Sequence, residues 1–219
     1  MAQAIETTSG VPVIHVVDDD LPTRTATARL LRASGLAAKG YATAAEFLAA
    51  SPMARPGCVV LDVRLPGLDG LKLQDMLSGT EDALPIIFIT GYGNIPMSVR
   101  AIKSGAIDFL TKPVRGAVLL DAVSRALARD AENRNAREQR LDARARFERL
   151  TPREREVFVH LITGQLNKQV AFDLGTSERT IKAHRHNVFE KLEAGSVADL
   201  VRFASMLNIA PFRVSKGAS

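Results

Sequence analysis

Short, largely apolar segments recur through the first half of the chain, over residues 13–17, 58–61, 85–90 and 107–110, with a more mixed one over 36–41. Each reads as a strand. The segments between them carry a helical period: 23–34 stopped by Gly35, 44–50, about 71–77, and 96–103 ended by Gly105. Regular alternation of strand and helix predicts a parallel sheet covered by helices on both faces. The unbroken runs "CVVL" and "IIFI" fit strands buried on both sides, where no polar face has to be kept.

The pattern then changes. No glycine or proline falls between Gly116 and Pro152. Val118, Leu119, Ala122, Val123, Ala126 and Leu127 keep a helical period, which fades beyond Ala131 into "ENRNAREQRLDARARFER". Asp142 and Arg146 form an i,i+4 acid-to-base pair there. This predicts one long helix that starts docked on the sheet and leaves it as a solvated linker; the alternative is a frayed, partly disordered tether. Everything from about Leu150 to Leu207 reads as helical. "TPRERE" supplies an N-cap, Thr151, a proline at the first helical position and acids in the first turn, for a helix running to Thr163 and stopped by Gly164. A short helix over 167–174 closes at Gly175, a longer one is capped by Ser177 or Thr176, and a last one spans about 197–207. The expected organisation is an α/β domain over 11–130, a helical linker over 131–147 and an all-α domain over 148–210.

Charge sharpens that division. Residues 1–130 carry 13 acidic and 13 basic side chains, whereas residues 131–219 carry 11 and 16, so the net charge of +5 sits in the C-terminal part. A basic module beside a neutral one points to a polyanion partner, nucleic acid first. One cysteine, Cys58, lies inside an apolar run, which excludes an internal disulfide framework and reads as a small buried hydrophobe. No charged stretch followed by a long apolar region opens the chain, and no apolar run approaches the roughly 20 residues that span a bilayer. The expectation is a cytoplasmic protein with no membrane partner.

The chemistry gathers at strand ends. Ligands of open α/β sheets bind beyond the carboxyl ends of the strands. The first strand ends at Asp18, Asp19 and Asp20, the third at Asp62, the fourth at Thr90, and the fifth leads to Lys112–Pro113. Any one of these acids alone is most simply a helix or loop cap. Four strand ends agreeing is harder to explain that way. Clustered carboxylates repel in low dielectric, and a hard divalent cation such as Mg²⁺ relieves them. A lysine nearby can pair with a carboxylate or with a phosphoryl group placed on it, and a threonine hydroxyl can hydrogen-bond such a group.

"VVDDD", "LDVRLPGLDG", "FITGYG" and "DFLTKPV", in this order and spacing, resemble the receiver domain of two-component response regulators over about residues 11–130. The resemblance implies a flavodoxin-like five-stranded parallel sheet. It implies that Asp62 accepts a phosphoryl group from a sensor histidine kinase, with Asp18, Asp19, Asp62 and the backbone carbonyl of Arg64 holding Mg²⁺. Thr90 and Lys112 would bind phosphoryl oxygens, Phe109 would be the switch aromatic, and the Lys112–Pro113 bond would be cis. Asp20 would be a neighbour and not a ligand.

In the basic module, a short helix, a turn at Gly175 and "TSERTIKAHRHNVFEKL" form the pattern of a helix-turn-helix, whose second helix enters the major groove. A plain bundle with a solvated basic face would share that composition. "LTPREREV", "GQLNKQVAFDLGTSERTIKAHRHNVFEKL" and "SVADLV" are similar to the LuxR-type DNA-binding domain of NarL/FixJ-class regulators. That resemblance implies a recognition helix over 177–192 and a last helix that serves dimerisation. It puts Lys182, Ala183 and His186 at base-facing positions, and makes Lys168, Thr180, Arg185 and Lys191 candidates for phosphate contact. His184 and Asn187 are expected to pack or touch backbone, and Ile181, Val188 and Leu192, with Val170, Ala171 and Leu174, to form core.

Together these readings predict a transcriptional regulator switched by phosphorylation through a homodimer on two-fold symmetric promoter DNA, with RNA polymerase as a further partner. A rival is a phosphoaspartyl hydrolase of the haloacid-dehalogenase type. It requires a second acid two residues after the nucleophile, where this chain has Arg64, so no enzyme activity is expected. The other rival is a receiver acting by protein–protein inhibition, against which the intact recognition-helix pattern speaks.

Overall fold

The computed structural model describes residues 10–50, 52, 55–80, 83–91 and 95–212. The chain divides into two compact units between Asn135 and Ala136.

The first unit is built on a parallel sheet of β1 (Val13–Val17), β2 (Ala37–Tyr41), β3 (Gly57–Asp62), β4 (Ile86–Thr90) and β5 (Asp108–Thr111) in the order β2-β1-β3-β4-β5. Its helices are α1 (Leu21–Ala33), α2 (Ala44–Ala49), α3 (Gly70–Ser78), α4 (Ile95–Lys103) and the first part of α5 (Gly116–Glu148), which continues past Asn135 into the second unit. All six residues of β3 are buried because its two faces feed two cores. Cys58 and Val60 join Ile14, Val16, Leu31, Ile87, Leu119, Val123 and Ala126 on one side. Val59 and Leu61 join Val17, Phe47, Leu73, Leu77 and Phe88 on the other. Cys58 is fully buried, and that burial, helped by Asp130, pushes its thiol up to about 12.

Register brings the strand ends level. Val17 lies opposite Leu61, Asp62 opposite Ile89, and Thr90 opposite Thr111. The turn after β3 explains two of the glycines near Asp62. Gly67 sits at φ 81°, and a Cβ on Gly70 would fall 2.5 Å from the Asp62 carbonyl oxygen, so only glycine lets α3 start this close to the strand end.

Helix boundaries depart from the sequence reading by small amounts. α1 begins at Leu21 and not at Thr23, because Asp20 caps it, accepting from the Thr23 amide at 2.9 Å, and Pro22 fits the first turn. The helix expected to reach Thr163 ends at Leu161, where Thr163 Oγ1 takes the His160 carbonyl and Gly164 turns away at φ 79°. The long glycine-free segment is one helix, α5, and Arg146 pairs with Asp142 at 2.6 Å as the spacing predicts.

The second unit contains α6 (Pro152–Leu161), α7 (Asn167–Asp173), α8 (Glu178–Leu192) and α9 (Val197–Met206). Val157, Phe158, Leu161, Val170, Ala171, Ile181, Val188, Leu192, Leu200 and Phe203 form its core, with Leu174 packed at the edge. The cap of α8 is Ser177, which accepts from the Thr180 amide. Among the described residues, no helix is long and apolar enough to cross a membrane.

Candidate functional site

Each unit carries one candidate site. The first lies at the carboxyl edge of the sheet. Asp18, Asp62 and Thr90 are buried there, and Asp19 is exposed beside them. One carboxylate oxygen from each of Asp18, Asp19 and Asp62 lies within 4.8 Å of the others. Lys112 follows β5, and its amide donates to the Thr90 carbonyl at 2.8 Å, which ties the fifth strand end to the fourth. Its ammonium donates to Asp18 Oδ2 at 2.7 Å and to Asp62 Oδ2 at 2.6 Å. The second oxygen of each acid is held by backbone: Asp20 N donates to Asp18 Oδ1 at 2.9 Å, and Arg64 N to Asp62 Oδ1 at 3.1 Å.

The electrostatics follow from that geometry. Burial pushes the Asp18 carboxyl up, against the pull of Lys112. Burial alone would lower Lys112, but its bonds to Asp18 and Asp62 outweigh it and hold the ammonium above its ordinary range. Asp20 is excluded from the cluster by its capping duty, and the Thr23 hydroxyl and amide hold its carboxyl below the usual range. Three hard oxygen donors converging on one point, two of them buried, suit a small divalent cation that keeps part of its water shell. Phe109 is half-buried, with its ring 6.0 Å from that of Phe88. The Lys112–Pro113 bond is cis, as expected. Tyr92 and Gly93 of the "FITGYG" motif lie outside the described residues.

The second site is the outer face of α8. Ile181, Val188 and Leu192 turn inward to the core, which leaves Lys182, Ala183 and His186 exposed on the opposite face. Thr180 and Lys168 are also exposed. Arg185 is half-buried; it reaches Asn167 Oδ1 at 3.4 Å and lies over the Phe189 ring at 5.3 Å. Lys191, a candidate for phosphate contact, holds Glu154 Oε2 at 2.7 Å, and Asn187 donates to Glu154 Oε1 at 3.2 Å. Two residues stand outside the set the sequence points to. Glu154 is one, although Thr151-x-x-Glu154 is the signature of a capping box and the structure contains one. Arg24 is the other, its guanidinium reaching the loop that carries Asp18 and Asp19.

Residues 14–124 match the response regulator receiver domain family, and residues 148–204 match the bacterial regulatory proteins of the luxR family. Nodulation protein W of Bradyrhizobium diazoefficiens is 45% identical, over 90% of this chain and 87% of its own length. The transcriptional regulatory protein FixJ of Azorhizobium caulinodans is 41% identical, over 90% and 94%. Among solved structures, the response regulator StyR is similar with a TM-score of 0.77 and 43% identity, covering 90% of this chain and 99% of that one. Full-length FixJ from B. japonicum gives 0.53 and 38%, covering 93% and 99%. The flavodoxin-like sheet followed by a helical domain is the architecture of these relatives. The chain therefore belongs to the response regulators of two-component systems, a family not of enzymes but of transcriptional regulators that join a receiver domain to a LuxR-type DNA-binding domain.

Proposed function

We propose that Asp62 is the phosphoacceptor and that the acidic pocket holds Mg²⁺ through Asp18, Asp19, Asp62 and the Arg64 carbonyl. The observation that carries this reading is the convergence of a buried Asp62 with Asp18, Asp19 and the bridging Lys112. The partner on the input side is a histidine kinase. An Asp62 carboxylate oxygen attacks the phosphorus of its phosphohistidine, the P–N bond breaks, and the imidazole nitrogen departs with the electron pair and takes up a proton. Bound Mg²⁺ supplies charge neutralisation for the phosphoryl oxygens during transfer. Lys112 already touches Asp62, so it shifts from carboxylate to phosphoryl oxygen with little movement. Thr90, buried at the end of β4, hydrogen-bonds a second oxygen.

The new group adds a charge of about −1.5 to −2. Thr90 moves toward it, Phe109 turns inward, and the surface they support changes shape. The output is a homodimer on two-fold symmetric promoter DNA, where a bound regulator can address RNA polymerase. Lys182, Ala183 and His186 meet base edges, and Lys168, Thr180 and Arg185 meet phosphates. Lys191, whose ammonium also holds Glu154, is a further phosphate contact. Work on promoter DNA locates the protein in the cytoplasm.

The test is sedimentation velocity of the full chain in Mg²⁺, with and without beryllofluoride, beside intact-mass analysis after acetyl phosphate. The wild type gains one phosphoryl group and becomes a dimer, and Asp62→Asn does neither. Labelling of Asp62→Asn at wild-type level overturns the assignment of Asp62, and a wild type of unchanged mass overturns the dimer.

A further inference from the structure

Two of the three clustered carboxylates stand on the short loop between β1 and α1, so the pocket is only as well formed as that loop. Lys112 bridges Asp18 and Asp62, and Asp19 takes no part in that bridge. The loop has a second brace. Arg24, in the first turns of α1, donates from Nη1 to the Asp18 carbonyl at 2.5 Å and to the Asp19 carbonyl at 3.2 Å. Those two carbonyls belong to the peptide planes on either side of Asp19. Holding both fixes the backbone dihedrals of Asp19 and hence the direction in which its carboxylate leaves the chain.

The brace needs a track to lie on, and β2 supplies it. A Cβ built on Gly40 would fall 3.1 Å from Arg24 Cγ and 3.2 Å from Cδ, closer than an ordinary contact, so a side chain at position 40 would press on the arginine stem. Gly40 pairs with Val16, two residues before Asp18. Glycine inside a strand weakens it and marks a close approach by another group. Here the approaching group is a side chain that reaches the acidic loop.

We propose that Arg24 is a positioning residue for the cation pocket and that Gly40 is the notch that seats it. The proposal rests on the reading of the pocket as a divalent-cation site. It makes a prediction opposite in sign to simple charge. Removing a positive group beside an acidic cluster strengthens cation binding if only charge acts, and weakens it if geometry acts.

The experiment is calorimetric titration of Mg²⁺ into the full-length wild type, Arg24→Met, Gly40→Val and the double variant. It is paired with amide hydrogen exchange over residues 18–20 in metal-free protein. Arg24→Met binds Mg²⁺ about tenfold more weakly, the scale for losing a partner that orients a metal ligand. Gly40→Val weakens binding in the same direction without touching the pocket. The double variant is no weaker than Arg24→Met alone, because both changes remove one brace. Exchange over the loop speeds up in all three variants with no metal present. Mg²⁺ binding by Arg24→Met equal to or tighter than wild type overturns the proposal, as does a double variant in which the two losses add. If the wild type itself binds no Mg²⁺, the reading of the pocket fails. The metal-free exchange then decides Arg24 separately, unchanged loop protection counting against the brace.

Discussion

His15 sits in the middle of β1, 5% exposed, among aromatic rings. Its Nδ1 lies 3.0 Å from the Tyr41 hydroxyl, its ring stacks on Tyr41 and meets the edge of Phe47, and Nε2 has no hydrogen-bond partner among the described residues. Burial, with Lys39 nearby, lowers its pKa to about 4. The folded protein thus keeps His15 neutral where the unfolded chain has already taken up a proton. Stability is unaffected above about pH 6.5 and falls as pH drops from there to about 4, by up to about 3 kcal/mol. Urea unfolding across that window shows the loss in the wild type, and His15→Gln abolishes that component. Asp18 cannot imitate it: a carboxyl raised by burial gains stability as pH falls, the opposite sign. At this scale the sequence revealed the residues whose position follows from a strand end, Asp62 and Lys112 among them. His15 was not legible, because one polar letter inside "VIHVV" does not say whether its neighbours across the sheet are water or aromatic rings.

Between elements, Glu154 joins α6 to α8. It is 2% exposed and accepts from the Thr151 amide at 2.8 Å, from Lys191 at 2.7 Å and from Asn187 at 3.2 Å. Burial pushes its carboxyl up, but Lys191, the Thr151 amide and Asn187 together outweigh this and bring it down to about 2. A depressed carboxyl contributes stability that is complete above about pH 4.5 and is lost as pH falls toward about 2. Glu154→Gln keeps the shape and removes the charge, so it costs about 1.5–3 kcal/mol at neutral pH, the range for hydrogen bonds to a charged group. It also flattens this acid-side dependence, as thermal unfolding at stepped pH would show; an unchanged Tm at pH 7 would sink the argument. The same contact shows what helical spacing does not tell about Lys191. Helical spacing tells which face a lysine is on, but its partner is a glutamate 37 residues away on another helix. Strand and helix identities were legible because periodicity is local, and boundaries moved by a residue or two where capping side chains, such as Asp20 at α1, decide the first turn.

On the scale of the whole molecule, charge and symmetry meet in one measurable quantity. The positive excess lies beyond residue 130, and the salt dependence of DNA affinity is expected to come chiefly from the C-terminal unit. Each phosphate neutralised contributes about 0.9 to the slope of log affinity against log salt. Lys168 is exposed on α7, the first helix of the helix-turn-helix, and the proposed assignment gives it one phosphate. A monomer on DNA has one such lysine in contact and a two-fold symmetric dimer has two. Lys168→Ala should then lower the slope by about 0.9 for the unphosphorylated protein and by about 1.8 in beryllofluoride, if the switch delivers two protomers to one site. Fluorescence anisotropy on a labelled promoter fragment at stepped salt reads both values. A slope that does not change with Lys168→Ala removes Lys168 from the interface. A change of about 0.9 in both states would mean that the activated protein reaches DNA with one protomer, so that phosphorylation acts by freeing the recognition helix and not by pairing two of them.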